Sequence, residues 1–557
     1  VAAGDLLQRL AREAAESAGL VQGDTGWPTM AANERRDWTV HGAASLAAPS
    51  WSEEIPSPDF AADGSRFMLD YDARQYREYS YPSHYPIVVG GEVFVSNGVS
   101  ISRYNLYNGQ RQDFFPGLVE GIRTPQEPHL VYGLTNRRGY LYANVEGPTE
   151  LRYERWQQFQ IQVPLPRRHL IKISIDQGKV AWDASDPKTR GANDSELIDE
   201  ANFAAPPVVL GDTVYTLVNQ YEGMNKCYLV AIDDETGRMR HSILLCSGQQ
   251  ELNMFGRPVG ELVGTVLAEE DGILYVLTNV GVVCAVNGLD GRILWLERYE
   301  RVPIPITRYA RVQRRDPSWG NCPPILADGV LVVAPMDSWN VYGYDAGTGR
   351  KLWESALGRR YKYVLGVVDG RVLVGGEDVI ALDVATGRTL WQPSVKLGPG
   401  DSVAGHGTVV GDVLFVPGES FLYRIDPIAG RSLESRRWDD AEKERGHLLF
   451  VDDILLSAGR EFLTAYTDSA HSLSVLEKSL SRRPDDPAVR YKLGSLLLRL
   501  GRPDAAVDHL KNLVEAGRTA NADEGKRYWA AKAADSLFGT YLELAGKASG
   551  TRDAERY

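Results

Sequence analysis

The fold of this 557-residue chain is decided by a phrase that reads VYGYDAGTGRKLW at 341–353 and VIALDVATGRTLW at 379–391. Four further copies are LIKISIDQGKVAW at 170–182, YLVAIDDETGRMRH at 228–241, VCAVNGLDGRILW at 283–295 and LYRIDPIAGRSLE at 422–434. A weaker copy, SRYNLYNGQRQDF, occupies 102–114. A repeated unit that cannot bury its apolar face alone must stack on its neighbours, so the phrase predicts a repeat architecture.

Each copy is predicted to be a strand, a tight turn and a second strand. Glycine provides the positive φ that closes such a turn, and these glycines are Gly109, Gly178, Gly237, Gly291, Gly349, Gly387 and Gly430. Four residues earlier stand side chains that bond to their own backbone, namely Asn105, Ser174, Asp233, Asn287, Asp345, Asp383 and Asp426. Trp182, Trp295, Trp353 and Trp391 follow four residues after a glycine. We expect the tryptophans to pack one unit on the next and the aspartates to open turns.

A further strand precedes each turn unit, and eight such strands are predicted along the chain. The eighth, VDDILLSAG at 451–459, is followed by REFLTAYT at 460–467 but by no final strand. Radial sheets commonly close with strands from both chain ends, which leaves no open edge. The sequence therefore predicts a mainly β fold, an eight-bladed β-propeller, with a seven-bladed ring as the alternative. RRDWTVHGAASL at 35–46 is the candidate for the missing strand.

The repeat resembles that of quinoprotein-type, or PQQ-like, propellers, whose signature is an apolar strand followed by Asp-x-x-x-Gly-x-x-x-Trp. The resemblance covers about residues 35–467, and the fold hosts both dehydrogenases and non-catalytic scaffolds. For the alcohol-oxidising dehydrogenases it implies a quinone in the central channel, flanked by a disulfide between adjacent cysteines and by a tryptophan. A calcium ion and an aspartate base complete that site. This chain has no adjacent cysteine pair, and no calcium or base motif can be matched to it.

The pattern changes to leucine- and alanine-rich helical periodicity from Ser469 onward. Residues 488–517 resemble a tetratricopeptide hairpin, with Leu493-Gly494, Gly501 and Ala506 at the family's packing and turn positions. The proline expected at the end of that unit is missing. Further helices are predicted at 473–487, 523–546 and, near the start of the chain, 5–20. The expected organisation is an N-terminal helical segment (1–34), the propeller (35–467) and a tetratricopeptide-like helical domain (468–557).

Charge and hydropathy limit the classes of partner. The formal net charge of −13 opposes binding to nucleic acid or to an anionic membrane, and no apolar run reaches the length of a membrane span. The first residue is Val1, so a secretion signal or lipid anchor is not visible in this chain. The resemblance to outer-membrane assembly propellers implies a periplasmic or cell-envelope location.

Two of the four cysteines, Cys227 and Cys246, are predicted to lie nearly opposite each other on one hairpin. A disulfide would form there in an oxidising compartment. The alternative is that both are buried free thiols in strands.

Long insertions between repeat units carry the candidate binding residues. YERVPIPITRYARVQRRDPSWGN at 299–321 concentrates cationic and aromatic side chains in an otherwise acidic chain. Such side chains are enriched at binding hot spots, and loops on rigid scaffolds commonly bind partners. The predicted partner-binding residues are Arg308, Tyr309, Arg311, Arg314, Arg315 and Trp319. The alternative is that the arginines pair with acidic residues of this chain and cap the channel.

No phosphate-binding glycine loop, HExxH, nucleophile elbow or haem-attachment motif occurs in the sequence. We therefore expect a non-catalytic, protein-binding propeller scaffold, without cofactor, metal or enzymatic activity, in a bacterial cell-envelope or periplasmic complex. Its expected partners are other protein subunits. The alternative is a quinone (PQQ)- and calcium-dependent dehydrogenase with an atypical site.

Overall fold

The fold contains eight sheets of four or more strands, which are the eight blades of a β-propeller. The computed structural model describes residues 26–33, 35–40, 49–56, 84–118, 131–147, 150–156, 159–165, 168–190, 197–198, 202–221, 224–249, 266–303, 317–467, 469–519 and 524–548. The prediction of eight blades is confirmed, and the seven-bladed alternative is wrong. The predicted N-terminal helix at 5–20 lies outside the described residues.

Each blade has four main strands, which we number from the channel outward. Blade 1 comprises Ile87–Val89, Glu92–Ser96, Ile101–Asn105 and Arg111–Phe115; blade 2 Tyr132–Arg137, Tyr140–Glu146, Arg168–Ser174 and Val180–Asp183. Blade 3 comprises Val208–Leu210, Thr213–Tyr221, Met224–Asp233 and Met239–Gln249; blade 4 Ala268–Glu270, Ile273–Leu277, Val282–Asn287 and Ile293–Arg298. Blade 5 comprises Ile325–Ala327, Val330–Val333, Asn340–Asp345 and Lys351–Ala356; blade 6 Tyr361–Val368, Arg371–Gly376, Asp378–Asp383 and Val395–Lys396. Blade 7 comprises Thr408–Val410, Val413–Pro417, Phe421–Asp426 and Arg431–Arg437; blade 8 His447–Val451, Ile454–Ala458, Phe462–Tyr466 and Pro49–Glu54.

The repeat residues form the turns that join the third and fourth strands. In blade 6, Asp383 Oδ1 accepts hydrogen bonds from the Thr386 backbone N–H at 2.8 Å and from its hydroxyl at 2.6 Å. The Gly387 N–H donates to the Asp383 carbonyl at 2.8 Å, and Gly387 has a φ of 66°. Residues other than glycine rarely adopt this left-handed conformation, which explains why glycine recurs there.

The repeat tryptophans lie between neighbouring blades. Trp353 of blade 5 is 7% exposed, and its indole N–H donates to the Val384 carbonyl in the blade 6 turn at 2.7 Å. A Cβ atom on Gly387 would come within 2.5 Å of the Trp353 ring, so glycine also permits this contact. Trp295 donates in the same way to the Ala346 carbonyl at 2.8 Å. The expected packing role of these side chains thus has a geometric basis.

Blade 8 is completed by an N-terminal strand, but not by the one expected. The outer strand is Pro49–Glu54, whereas Thr39–Val40, within the predicted segment 35–46, pairs in parallel with the innermost strand of blade 7. Trp51 explains why Pro49–Glu54 is the outer strand, because it packs under Gly109 and donates to the Leu106 carbonyl at 3.1 Å. Trp51 thus packs blade 8 against the turn of blade 1, as Trp353 packs blade 5 against the turn of blade 6.

Several short elements supplement the blades. His84–Tyr85 pairs in parallel with the innermost strand of blade 2, Asn202–Phe203 adds to blade 3, and Glu150–Trp156 pairs with Phe159–Leu165 in a separate hairpin. Helices α1 (Pro187–Arg190) and α2 (Ala441–Glu444) and a 3₁₀ turn (Gly358–Arg360) are also present.

The C-terminal part is helical, as predicted: α3 (Ser469–Arg482), α4 (Pro487–Arg499), α5 (Pro503–Gly517) and α6 (Glu524–Ala548). Leu493, Leu497 and Ala506 form a small buried core with leucines of α3. Gly494 faces Leu510, 3.0 Å from where a Cβ would stand, and Gly501 has a φ of 68° in the turn. None of the described helices has the length and apolar character needed to cross a membrane.

The chain divides into two compact units. The second gathers the described residues of Ser45–Ser52, Tyr104–Arg111 and Ala465–Tyr557, and the first contains the rest.

Candidate functional site

The centre of the propeller is lined by the chain's own residues 26–33 and 35–40, here called the channel segment. Trp27 exchanges two backbone hydrogen bonds with Val88 of blade 1, both at 2.9 Å. Further along, carbonyl oxygens of the segment accept hydrogen bonds from the innermost strands of blades 5, 6 and 7: Arg35 from Leu326, Asp37 from Val367, Trp38 from Val409. The segment thus runs around the inside of the ring from one innermost strand to the next.

Buried side chains hold this channel segment in place. Arg36 is 1% exposed; its Nε donates to the Leu267 carbonyl at 3.0 Å, and its Nη1 donates to Thr29 Oγ1 and to the Met30 carbonyl, both at 2.7 Å. A buried guanidinium must have its N–H groups satisfied, and here the protein supplies the acceptors. Arg36 and Trp38 have positive φ values of 63° and 59°, a conformation that persists only when the surroundings enforce it.

A cluster of aromatic rings continues the filling of the channel. The Trp38 indole stacks on the His406 imidazole with ring centroids 4.5 Å apart and planes 10° apart. Tyr363 meets the His406 ring edge-on at 4.8 Å, and Tyr85 stacks on His447 at 4.4 Å. All five rings are at most 3% exposed. The described part of the channel is therefore packed with protein side chains.

His406 joins three blades through its ring nitrogens. Nδ1 lies 3.1 Å from the Val364 carbonyl of blade 6, and Nε2 lies 2.8 Å from the Asn321 carbonyl at the entry to blade 5. Burial lowers the pKa of His406 to about 4, although both carbonyls favour the charged ring. The imidazole is thus neutral at pH 7, and its single N–H serves one carbonyl at a time.

The candidate partner-binding loop leaves blade 4 from a rigid base built around Asp337. This carboxylate, which has no exposed surface, accepts hydrogen bonds from the Tyr299 hydroxyl at 2.7 Å and from Arg301 Nε at 2.6 Å. Its backbone carbonyl accepts from the Val302 N–H at 2.6 Å. Burial and the neighbouring Asp337 carboxylate raise the pKa of Tyr299 well above its ordinary value. The Arg301 side chain packs directly against the backbone of Gly281. A larger residue would block this contact, because a Cβ there would come within 2.9 Å of Arg301 Cδ.

The returning end of the loop is fixed to the same region. The Ser318 N–H donates to the Met336 carbonyl, and the Gly320 N–H donates to the Lys362 carbonyl, both at 2.7 Å. Trp319 has no exposed surface, and its indole N–H has no partner among the described residues. Of the predicted binding residues, Arg308, Tyr309, Arg311, Arg314 and Arg315 lie outside the described residues.

The loop and the repeat turns lie at opposite ends of the blades. Asp337 belongs to the turn between the second and third strands of blade 5, and the loop joins the fourth strand of blade 4 to the first strand of blade 5. In a meander of four antiparallel strands these two kinds of connection share one end. The glycine turns between the third and fourth strands stand at the other end.

Two aromatic faces in the described part of the channel are not available to stack on a quinone. His406 covers one face of Trp38, and His447 covers one face of Tyr85. Within the described ranges there is no cluster of three or more His, Cys, Asp or Glu side chains placed to hold a metal ion. The four described cysteines are free thiols.

Sequence reasoning missed Trp51, Asp337 and the channel residues. Trp51 had a visible signal, because WSEE at 51–54 resembles the outer-strand stretches LWESA and LWLER of blades 5 and 4. Asp337 and His406 had none, because their partners lie up to 85 residues away in sequence. Only the packing of separate blades against one another brings those partners together.

Two parts of the chain match known family models. Residues 307–458 match the model described as outer membrane protein assembly factor BamB, and residues 467–534 match a tetratricopeptide repeat. The predicted quinoprotein-type propeller with a tetratricopeptide-like region is thereby confirmed. Among curated proteins no significant match was found.

Solved structures show the same fold at low sequence identity. Quinohemoprotein alcohol dehydrogenase from Comamonas testosteroni has a TM-score of 0.50 at 13% identity, with 79% of this chain and 80% of that one covered. BamB from Moraxella catarrhalis has a TM-score of 0.42 at 15% identity, with 76% of this chain and 100% of that one covered. A dehydrogenase structure and an assembly-factor family model thus both match this chain, so the fold alone does not assign the activity.

Proposed function

We propose that this chain is a non-catalytic propeller scaffold that binds other protein subunits in a bacterial cell-envelope or periplasmic complex. One observation supports it above all others: the described part of the channel is occupied by residues 26–33 and 35–40 and by the buried rings around His406. Dehydrogenase chemistry in this fold would need a pocket for its cofactor, whereas a scaffold needs only a stable ring. The match of residues 307–458 to the BamB model agrees with an assembly role.

The proposed partner surface is the loop that carries Arg308, Tyr309, Arg311, Arg314 and Arg315. The buried Asp337 carboxylate holds the departing end of the loop, and backbone hydrogen bonds from Ser318 and Gly320 hold the returning end, so both ends are ordered before a partner binds. Pre-ordering lowers the entropic cost of association. A guanidinium pairs bidentately with carboxylates and stacks on aromatic rings, so an acidic partner segment suits this loop. Trp319, being buried, would support the loop from below.

The helical region is proposed as a second surface. Residues 483–488, between α3 and α4, and Trp529 of α6 line an open groove. The tetratricopeptide match covers these residues, and repeats of this kind form extended binding surfaces. We retain the division into residues 1–34, 35–467 and 468–557 as part of the proposal.

The partner surface is tested by replacing Arg308, Arg311, Arg314 and Arg315 together with Ser and measuring co-purification of partner subunits from the native host under mild conditions. We expect recovery of the partners to fall at least about tenfold, and the salt sensitivity of binding to fall as well, because charge pairs across an interface are screened.

The matched control replaces Arg292, Arg350, Arg388 and Arg431 with Ser, which removes the same charge from the opposite end of the blades. These four exposed arginines each follow a repeat glycine. Partner recovery should be unchanged in this control. Equal loss in both variants, or in neither, would refute the loop as the binding surface.

The alternative function is a quinone- and calcium-dependent dehydrogenase with an atypical site. It requires that the channel segment give way to the cofactor, and it predicts that quinone and calcium raise the melting temperature. The scaffold proposal predicts no such rise.

A further inference from the structure

Two thiols face each other on the hairpin formed by the third and fourth strands of blade 3. Cys227 and Cys246 are direct partners in the antiparallel register, next to a β-bulge that separates them from the pair Tyr228 and Leu244. Directly opposed residues of such a pair have Cα atoms about 4.5–5.5 Å apart. Disulfides span Cα separations of about 4.4–6.8 Å, so the backbone already stands at bonding distance.

The two thiols differ in access and in acidity. Cys227 is 2% exposed, whereas Cys246 is only half-buried. A hydrogen bond from the Cys227 thiol lowers the pKa of Cys246 against the opposing effect of burial, and Thr278 and the Arg301 guanidinium lower it further. The same hydrogen bond, together with burial, raises the pKa of Cys227. The thiolate is the nucleophile in thiol chemistry, so Cys246 is the accessible and activated member of the pair.

We propose that Cys227 and Cys246 form a reversible dithiol–disulfide site in which Cys246 reacts first and Cys227 resolves the intermediate. The oxidant is a low-molecular-weight disulfide. Cys246 thiolate attacks one sulfur of that disulfide, its S–S bond breaks, and one small thiol leaves. Cys227, after losing its proton to solvent, attacks the Cys246 sulfur of the mixed disulfide and releases the second small thiol. The protein pair is oxidised by two electrons, and one disulfide molecule is reduced to two thiols.

The other two cysteines provide internal controls. Cys284, in the third strand of blade 4, has no exposed surface, and burial raises the pKa of its thiol. Cys322 is 2% exposed, its sulfur accepts a hydrogen bond from the Val364 N–H at 3.4 Å, and burial raises the pKa of its thiol to about 12. Buried thiols of this kind react slowly with oxidants.

The test incubates the folded, full-length chain in glutathione buffers of increasing oxidised fraction. Remaining thiols are then alkylated in denaturant, counted by mass spectrometry and mapped by peptide. We expect the four free thiols to fall to two, with a single cross-linked peptide pair that joins Cys227 to Cys246 and is reversed by reduced glutathione.

Single variants separate the two roles. Cys227→Ser should stop at one glutathione attached to Cys246, whereas Cys246→Ser should react at least about tenfold more slowly than the wild-type chain. Cys284→Ser and Cys322→Ser should form the bridge at the wild-type rate. Four thiols that persist in the wild-type chain under fully oxidised glutathione, or a bridge that includes Cys284, would overturn the proposal. The wild-type measurement requires no variant to fold.

Discussion

The turns at 105–109 and 383–387 share one backbone conformation but lie in different surroundings. Asn105 Oδ1 accepts from the backbone N–H groups of Tyr107 and Asn108 at 2.9 and 3.1 Å, as Asp383 Oδ1 accepts from Thr386. Asn105, however, is 8% exposed, and its Nδ2 also donates to the Tyr491 hydroxyl at 3.1 Å. Asp383 stays partly exposed. Because the backbone conformation is the same, either asparagine or aspartate can open the turn. Position 105 has an amide because helix α4 covers it and Tyr491 accepts a hydrogen bond from Asn105 Nδ2.

The largest expected effect is the loss of the tryptophan beneath either turn. Trp51→Ala and Trp353→Ala should each lower the free energy of unfolding by about 3–5 kcal/mol, because each leaves a cavity and strips a carbonyl of its donor. Chemical denaturation of both variants measures this loss. Similar losses would show that the two tryptophans contribute equally to the packing of one blade on the next. A loss confined to Trp353 would show that Trp51 does not complete blade 8.

The second-largest expected effect is a loss of stability at low pH that comes from the buried imidazole of His406. The His406 pKa is lowered to about 4, while the unfolded chain has an ordinary histidine value of about 6.5. Below about pH 6.5 the unfolded state takes up a proton that the folded state does not. Stability contributed by neutral His406 is therefore fully present above pH 6.5 and falls by up to about 3 kcal/mol as the pH drops towards 4.

The control for this prediction is His406→Gln, which can still donate a hydrogen bond but has no titrating ring. Denaturation of both proteins between pH 7.5 and about pH 4 should give a smaller decline for the variant. Parallel declines would mean that His406 is not buried in its neutral form.

The smallest effect comes from exchanging the two turn residues. Asn105→Asp should cost about 1–3 kcal/mol, because it removes the donor to Tyr491 and buries a carboxylate. Asp383→Asn should change stability by no more than about 0.5 kcal/mol, because the amide oxygen keeps both turn contacts. Thermal melting of the pair compares them directly. Equal costs would contradict the distinction drawn between the two turns.

The sequence predicted what depends on short-range pattern. A polar turn-opening residue four positions before a glycine was sufficient to predict the turns, and the eight strands that precede the turn units predicted a propeller of eight blades. Leu493, Gly494 and Ala506 likewise indicated the helical hairpin, because their spacing reflects packing between adjacent helices.

Long-range placement escaped prediction for a physical reason. Trp38 was assigned to a blade because its segment resembles a strand, yet Thr39–Val40 pairs inside the ring. A strand-like pattern at 35–46 does not by itself show whether the segment lies at a blade's outer edge or in the channel, whereas WSEE at 51–54 carries the outer-strand pattern that was missed. The base of the candidate loop escaped for the same reason: Asp337 meets Tyr299 only after two blades have formed.

The central claim of the proposed function is that the channel segment, residues 26–33 and 35–40, occupies the place that a quinone would need. Titration of the native, full-length chain with pyrroloquinoline quinone and calcium, followed by melting temperature, tests it most directly. A ligand at 100 times its dissociation constant would stabilise the folded state by about 2.7 kcal/mol. We predict no change in melting temperature at any quinone concentration. A rise that grows with quinone and is abolished by chelating calcium would contradict the account and favour the dehydrogenase.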